Sequence, residues 1–185
     1  MTFLCNDFQI AILSRGTLEQ AAKEPFPDRT FVVSIVDSDA EPVRMEHKPT
    51  GMLRLAFDDV GNDEFPISCH QMGDADEEDK AIIASMFSPM SRTQAQRVAR
   101  FVLENQDALR LLICSCEMGQ SRSAAVAAAV LEYFIEDASA IDEDARFGSN
   151  KLVRHLVLSA LHAEQKGLIA RQNATSPKRR STDDI

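Results

Sequence analysis

Apolar positions gather along the chain into short runs separated by polar, proline-bearing stretches, and the period of each run indicates its structure. Phe8 to Leu13 is a short apolar segment followed by Ser14-Arg15-Gly16, which reads as a strand and a turn. Thr17 to Lys23 suits a short helix, stopped by Pro25 and Pro27. Thr30 to Val36 (Thr-Phe-Val-Val-Ser-Ile-Val) is β-branched and nearly continuous, as in a strand covered on both faces. Residues 37–50 are polar with two prolines and read as a loop, after which Gly51 to Phe57 alternates and predicts a further strand ending at Asp58-Asp59.

The acidic stretch from Gly61 to Asp79 is the least legible; it reads as the start of a helix carrying Ala81, Ile82, Ile83, Met86 and Phe87, since the glycine and final glutamate of a calcium loop are missing. Ser91, with Gln94 three residues on, predicts a capped helix whose stripe is Val98, Phe101 and Val102. Leu111 to Cys116 has the length and composition of a buried strand, and the Ala-rich run to Phe134 is rich in strong helix formers. An acidic connector (Glu136 to Asp144) follows. Asn150 then reads as the N-cap of a helix with Leu152, Val153, Leu156, Val157 and Leu161 at helical spacing. Together these elements predict an α/β fold, a central, mostly parallel sheet of four to five strands flanked by helices. One domain over residues 1–168 is expected, with 169–185, including Pro177-Lys178-Arg179-Arg180, as a disordered tail.

Charge narrows the partners. A formal net charge of −9 argues against nucleic acid or an anionic membrane surface. No apolar window is long enough for a membrane span, and the N-terminus lacks the pattern of a signal peptide. Four cysteines without regular spacing fit a reducing compartment, so the expectation is a cytoplasmic protein with free thiols and no metal or other cofactor.

The stretch Cys116-Glu117-Met118-Gly119-Gln120-Ser121-Arg122-Ser123 carries the candidate chemistry. A loop between a buried strand and a helix aims its N–H groups at whatever lies over the helix N-terminus, where the dipole favours negative charge and the thiolate form of a cysteine. Gly119 lets the backbone approach a ligand closely, and Arg122 supplies a planar fork of donors. A thiolate, a cradle of amides and a fixed guanidinium suit attack on a phosphate monoester.

These residues resemble the signature loop of the cysteine-dependent protein tyrosine phosphatases, and most closely the compact dual-specificity branch, whose loops often read Cys-Glu-x-Gly-x-Ser-Arg-Ser. The resemblance extends over residues 8 to about 165, with the loop as its diagnostic part. It implies Cys116 as a nucleophile forming a phosphocysteine, and Arg122 as a bidentate phosphate clamp. The amides of Glu117, Met118, Gly119, Gln120, Ser121 and Arg122 would form the phosphate cradle, and Ser123 would assist departure of the sulfur. It also implies a general acid on a separate loop after a strand, for which Asp59 is the first choice and Asp58 the second. Strand alternation sends those two carboxylates in opposite directions.

The chain departs from the family's pattern at Ser115, where a histidine is usual, and in a longer gap between acid and nucleophile. The loop carries Glu117, Met118 and Gln120 where branches acting on polyphosphorylated ligands place lysines, which favours a single phosphate on a protein or small molecule. Cys114 is read as turned away from the site and packing in the core. His47, His70, His155 and His162 show no catalytic pairing. Two further hypotheses share the loop: a catalytically weak or inactive phosphate-recognition module, and a thiol redox function such as arsenate reduction, disfavoured because Cys116 lies deep in the chain.

Overall fold

The computed structural model describes residues 2–60 and 87–175, with side chains through 167. The helix and acidic segment expected between Gly61 and Met86, with Cys69 and His70, lie outside the described residues. So do residues 176–185.

Among the described residues, five strands form one sheet in the order β1-β2-β5-β3-β4. They are β1 (Thr2–Cys5), β2 (Phe8–Ser14), β3 (Thr30–Val36), β4 (Gly51–Ala56) and β5 (Leu111–Cys116). β2, β5, β3 and β4 are parallel, and β1 runs antiparallel to β2 at one edge. The mostly parallel α/β sheet flanked by helices is therefore what the chain forms. β1 was not among the predicted elements. Its four residues give too short an alternation to read alone, and Asn6 at φ 47° makes the reversal into β2.

The helices among the described residues are α1 (Arg15–Ala21), α2 (Arg92–Asn105), α3 (Arg122–Ile135), α4 (Ser139–Asp142) and α5 (Lys151–Thr175). One face of the sheet meets α2, α3 and α5 over the larger core, which includes Ile10, Val33, Leu55, Leu112, Val98 and Val157. The opposite face holds a smaller cluster of Ala11, Leu18, Val32, Val36, Val43 and Ile113. Helix α3 is the central one: all ten residues from Arg122 to Leu131 are buried, and the alanines allow sheet and helices to approach its backbone closely.

Three local expectations need correction. Ser14-Arg15-Gly16 is not a turn, because Ser14 caps α1 by accepting from the Thr17 amide at 3.2 Å and the helix begins at Arg15. The acidic connector holds a short helix, α4, that its sequence did not indicate. Cys114 does not turn away from Cys116. The two-residue period of a strand puts both in the same core cluster, where Cys114 is fully buried. Burial, reinforced by the neighbouring Cys116, pushes the Cys114 thiol far up, and burial pushes Cys5 up to about 12.

The capping box at Ser91 forms as the sequence predicts. The Gln94 amide donates to Ser91 Oγ at 3.2 Å, the Ser91 amide donates to Gln94 Oε1 at 2.8 Å, and Gln94 Nε2 reaches Ala56 O at 2.8 Å. The cap thus ties α2 to the end of β4. Ser91→Ala is expected to lower unfolding free energy by about 1 kcal/mol, read as a lower urea midpoint at unchanged slope.

Candidate active site

The carboxyl ends of the four parallel strands converge at one edge of the sheet, the usual place for a site in an open α/β fold. β5 delivers Cys116 there, and Ser14 of β2 is its register partner. The loop of residues 117–121 then turns into α3. It leans on the β2–α1 junction, where the Arg15 amide donates to Glu117 O at 3.2 Å and Arg15 Nη1 stands 3.6 Å from Glu117 Oε2. On its other side Gly148 N donates to Gln120 O at 3.1 Å. The Met118 side chain is 68% exposed.

Gly119 adopts φ +70°, and a Cβ there would stand 2.6 Å from Ser14 N and 2.7 Å from Leu13 C. Those are backbone atoms of a paired strand and cannot yield. Gly119→Ala is therefore expected to destabilise the chain by about 1–3 kcal/mol, measurable as a lower melting temperature.

Among the described residues, the Glu117 to Ser121 amides donate to no backbone acceptor outside regular elements. No side chain caps α3 either, because Ser121 Oγ donates instead to Asp59 Oδ1 at 2.8 Å. Cys116, 2% exposed, lies with Sγ 3.1 Å from Ser123 Oγ, which is fully buried at the first turn of α3.

Arg122 is 3% exposed and rigidly held. Its Nη1 donates to Phe57 O at 2.7 Å and meets Asp37 Oδ1 at 2.6 Å. Its Nε is buried without a hydrogen-bond partner among the described residues, and the nearest carboxylate oxygen, Asp59 Oδ2, is 3.8 Å away. Ser115, in the position before the cysteine, is buried, and its Oγ has no hydrogen-bond partner among the described residues.

The two candidate carboxylates part company after β4. Asp58 is turned to the scaffold: its oxygens accept from the Ser38 amide (2.9 Å), the Ser38 hydroxyl (2.9 and 3.0 Å) and the Ser88 amide (2.6 Å). Burial pushes its carboxyl up, but these hydrogen bonds and the Arg122 charge outweigh it and leave it below its ordinary 3.8. Asp59 faces the loop, and its side chain is 38% exposed. Oδ1 accepts from Ser121 Oγ and from Asn150 Nδ2 (2.9 Å), leaving Oδ2 toward Arg122.

Sequence reasoning missed two members of this cluster. Asp37 at the end of β3 was read only as the start of a loop, yet it is the ion partner of Arg122. Asn150 was read only as an N-cap. It does cap α5, accepting from Val153 N at 3.0 Å, and with its other side-chain atom it holds Asp59. Asn150 and Asp59 are 91 positions apart, so local pattern held no signal for the pairing. Of the described histidines, His162 packs edge-on to the Tyr133 ring at 5.2 Å.

Neither a scan against protein families nor a search of curated proteins finds a match for the chain. Among solved structures it is similar to PTPMT1 in complex with PI(5)P, at 14% identity and TM-score 0.42, over 77% of this chain and 80% of that one. It is similar to Tk-PTP in the active form at 16% identity and TM-score 0.44, over 87% and 95%. Another structure of PTPMT1 aligns at 11% identity and TM-score 0.41, over 92% and 99%. At these values no residue role is carried over from them. No helix among the described residues is long and apolar enough to cross a membrane.

Proposed function

We propose that the chain is a phosphate-monoester hydrolase of the protein tyrosine or dual-specificity type, acting through a phosphocysteine on Cys116 without a cofactor. The observation that carries this reading is the buried Arg122 guanidinium. It is clamped at Nη1 by Phe57 O and Asp37 while, among the described residues, Nε has no hydrogen-bond partner and the neighbouring loop amides meet no backbone acceptor outside regular elements, beside a cysteine. Buried donors of this kind are costly unless an acceptor arrives, and a phosphate dianion supplies acceptors for all of them.

In the proposed reaction the Cys116 thiolate attacks phosphorus, the bond to the leaving oxygen breaks, and Asp59 Oδ2 gives that oxygen its proton. Arg122 and the amides of residues 117–122 hold the charge that gathers on the equatorial oxygens. Water then attacks the phosphocysteine and passes a proton to Asp59. The S–P bond breaks, and Ser123 donates to the departing sulfur. Asp58 is the scaffold carboxylate in this reading, since its oxygens are occupied by Ser38 and Ser88.

The substrate class that fits is a single phosphate on a protein or small molecule in the cytoplasm, because Glu117, Met118 and Gln120 add no cation to the loop. Purified protein, with a chelator present, is expected to hydrolyse p-nitrophenyl phosphate and aryl phosphopeptides between pH 5 and 7. Absence of turnover with both substrates would sink this reading.

A second reading is favoured by Ser115, whose buried hydroxyl has no partner among the described residues where the resembled family keeps a histidine. A recognition module of the same architecture would bind phosphopeptide without consuming it, and calorimetry beside the activity assay separates the two.

A further inference from the structure

The sheet carries a second feature far along the strands from the Cys116 loop. A cavity of about 460 Å³ opens at the start of β4, lined by residues of the preceding loop, the first four residues of β4 and one residue of α2. Catalytic candidates sit at the carboxyl ends of the strands, whereas Gly51 to Arg54 are the first four of the six residues of theirs. A ligand held here does not compete for the loop.

The charge of this cavity opposes that of the chain. Lys48, Arg54 and Arg97 line it, and no acidic side chain does, in a protein of net charge −9. None of the three cations forms an ion pair with a carboxylate among the described residues. Arg97 is held in place by donating from Nη2 to Arg54 O at 3.3 Å across the free edge of β4. Met45, Met52 and Leu53 supply apolar surface to the same cavity.

The walls are set by rigid contacts. On the inner side of Gly51 a Cβ would stand 2.5 Å from the Phe31 ring, which itself packs against Phe101 at 5.9 Å between centroids. The rim is fixed at Thr50, whose hydroxyl accepts from the Arg29 amide at 3.0 Å. Arg29 in turn is tied through its Nε to Ala108 O at 2.6 Å.

We propose that this cavity is a second binding site, for a phosphate, phosphonate or carboxylate group carried on an apolar body. The cations take the anionic head, and Met45, Met52 and Leu53 cover the hydrocarbon. The proposal rests on its own residues and not on the reading of the Cys116 loop.

Phenylphosphonate, a non-hydrolysable anion on a phenyl ring, is the probe. It is titrated into the full chain carrying Arg122→Met, which removes the guanidinium of the loop, and followed by amide shifts in an NMR spectrum. Saturable shifts at residues 48–54 are expected. They should weaken by about tenfold or more in the same background with Lys48→Gln and Arg54→Gln. Inorganic phosphate is expected to bind several-fold more weakly than phenylphosphonate; equal affinity would overturn the apolar half of the proposal. Unmoved amides at 48–54, or a titration indifferent to Lys48→Gln and Arg54→Gln, would overturn the site itself. In an otherwise native chain, Lys48→Gln with Arg54→Gln is expected to leave p-nitrophenyl phosphate hydrolysis within about twofold. Failure of the phosphatase reading shows only in that last assay and leaves the titration intact.

Discussion

Cys116→Ser is expected to reduce turnover of p-nitrophenyl phosphate on the order of 10⁴-fold or more while leaving phosphate or phosphopeptide binding close to native. The substitution exchanges sulfur for oxygen at a fully enclosed position, so volume changes little and the Ser123 hydroxyl keeps a partner. What is lost is the nucleophile, because a serine hydroxyl has no base within reach among its described partners and is not ionised near neutrality. The Arg122 fork and the loop amides remain, so affinity remains. Single-turnover assays beside calorimetry read the two quantities separately. Retention of more than about a tenth of the rate would remove Cys116 from the chemistry and return the loop to a recognition role.

The second large effect separates the two neighbouring aspartates. Asp59→Asn is expected to lower kcat by about 10²–10⁴-fold for alkyl phosphates and phosphopeptides, whose leaving oxygens need a proton, and by much less for p-nitrophenyl phosphate. Its stability should change little, because an asparagine oxygen can still accept from Ser121 and Asn150. Asp58→Asn is expected to do the reverse. The carboxylate is surrounded by donors from Ser38 and Ser88, and an amide would set an N–H against one of them at a cost of about 1–2 kcal/mol.

The acid dependence of stability carries the same signature. The Asp58 carboxyl lies below its ordinary 3.8 in the folded chain, so the stability it contributes is present above that value and is lost as pH falls through the folded one. Asp58→Asn should therefore flatten part of the loss of stability on acidification below about pH 4. Urea midpoints measured from pH 3 to pH 6 test this. A variant as acid-sensitive as the parent would mean that the Ser38 and Ser88 contacts contribute nothing.

The parts of the fold that could be read from sequence are those set by local chemistry. β3 was legible at both ends because six of its seven residues are β-branched or apolar, and such a run has nowhere to go but a covered sheet interior. α2 was legible because Ser91 and Gln94 satisfy each other's backbone donors over three residues. The strand–loop–helix around Cys116 was legible because an apolar run of strand length leads into a run of strong helix formers. β1 escaped because a four-residue strand is specified by its partner β2 and not by its own pattern, and the start of α1 escaped because a serine followed by arginine and glycine resembles a turn until its capping bond is seen.

The candidate site divides along the same line. By itself the sequence determined which residue types meet at one loop, since Cys116 through Ser123 are consecutive and the geometry of a tight loop follows from Gly119 and the helix start. Tertiary structure alone decided what surrounds them. It turned Asp58 to Ser38 and Ser88 and Asp59 to Ser121 and Asn150, and it brought Asp37 from the end of β3 onto Arg122. The physical reason is range. Capping, periodicity and backbone conformation act over a few residues and are written locally. The partners of a buried charge are whichever groups the strand order β1-β2-β5-β3-β4 sets beside it, and that order comes from packing the whole chain at once.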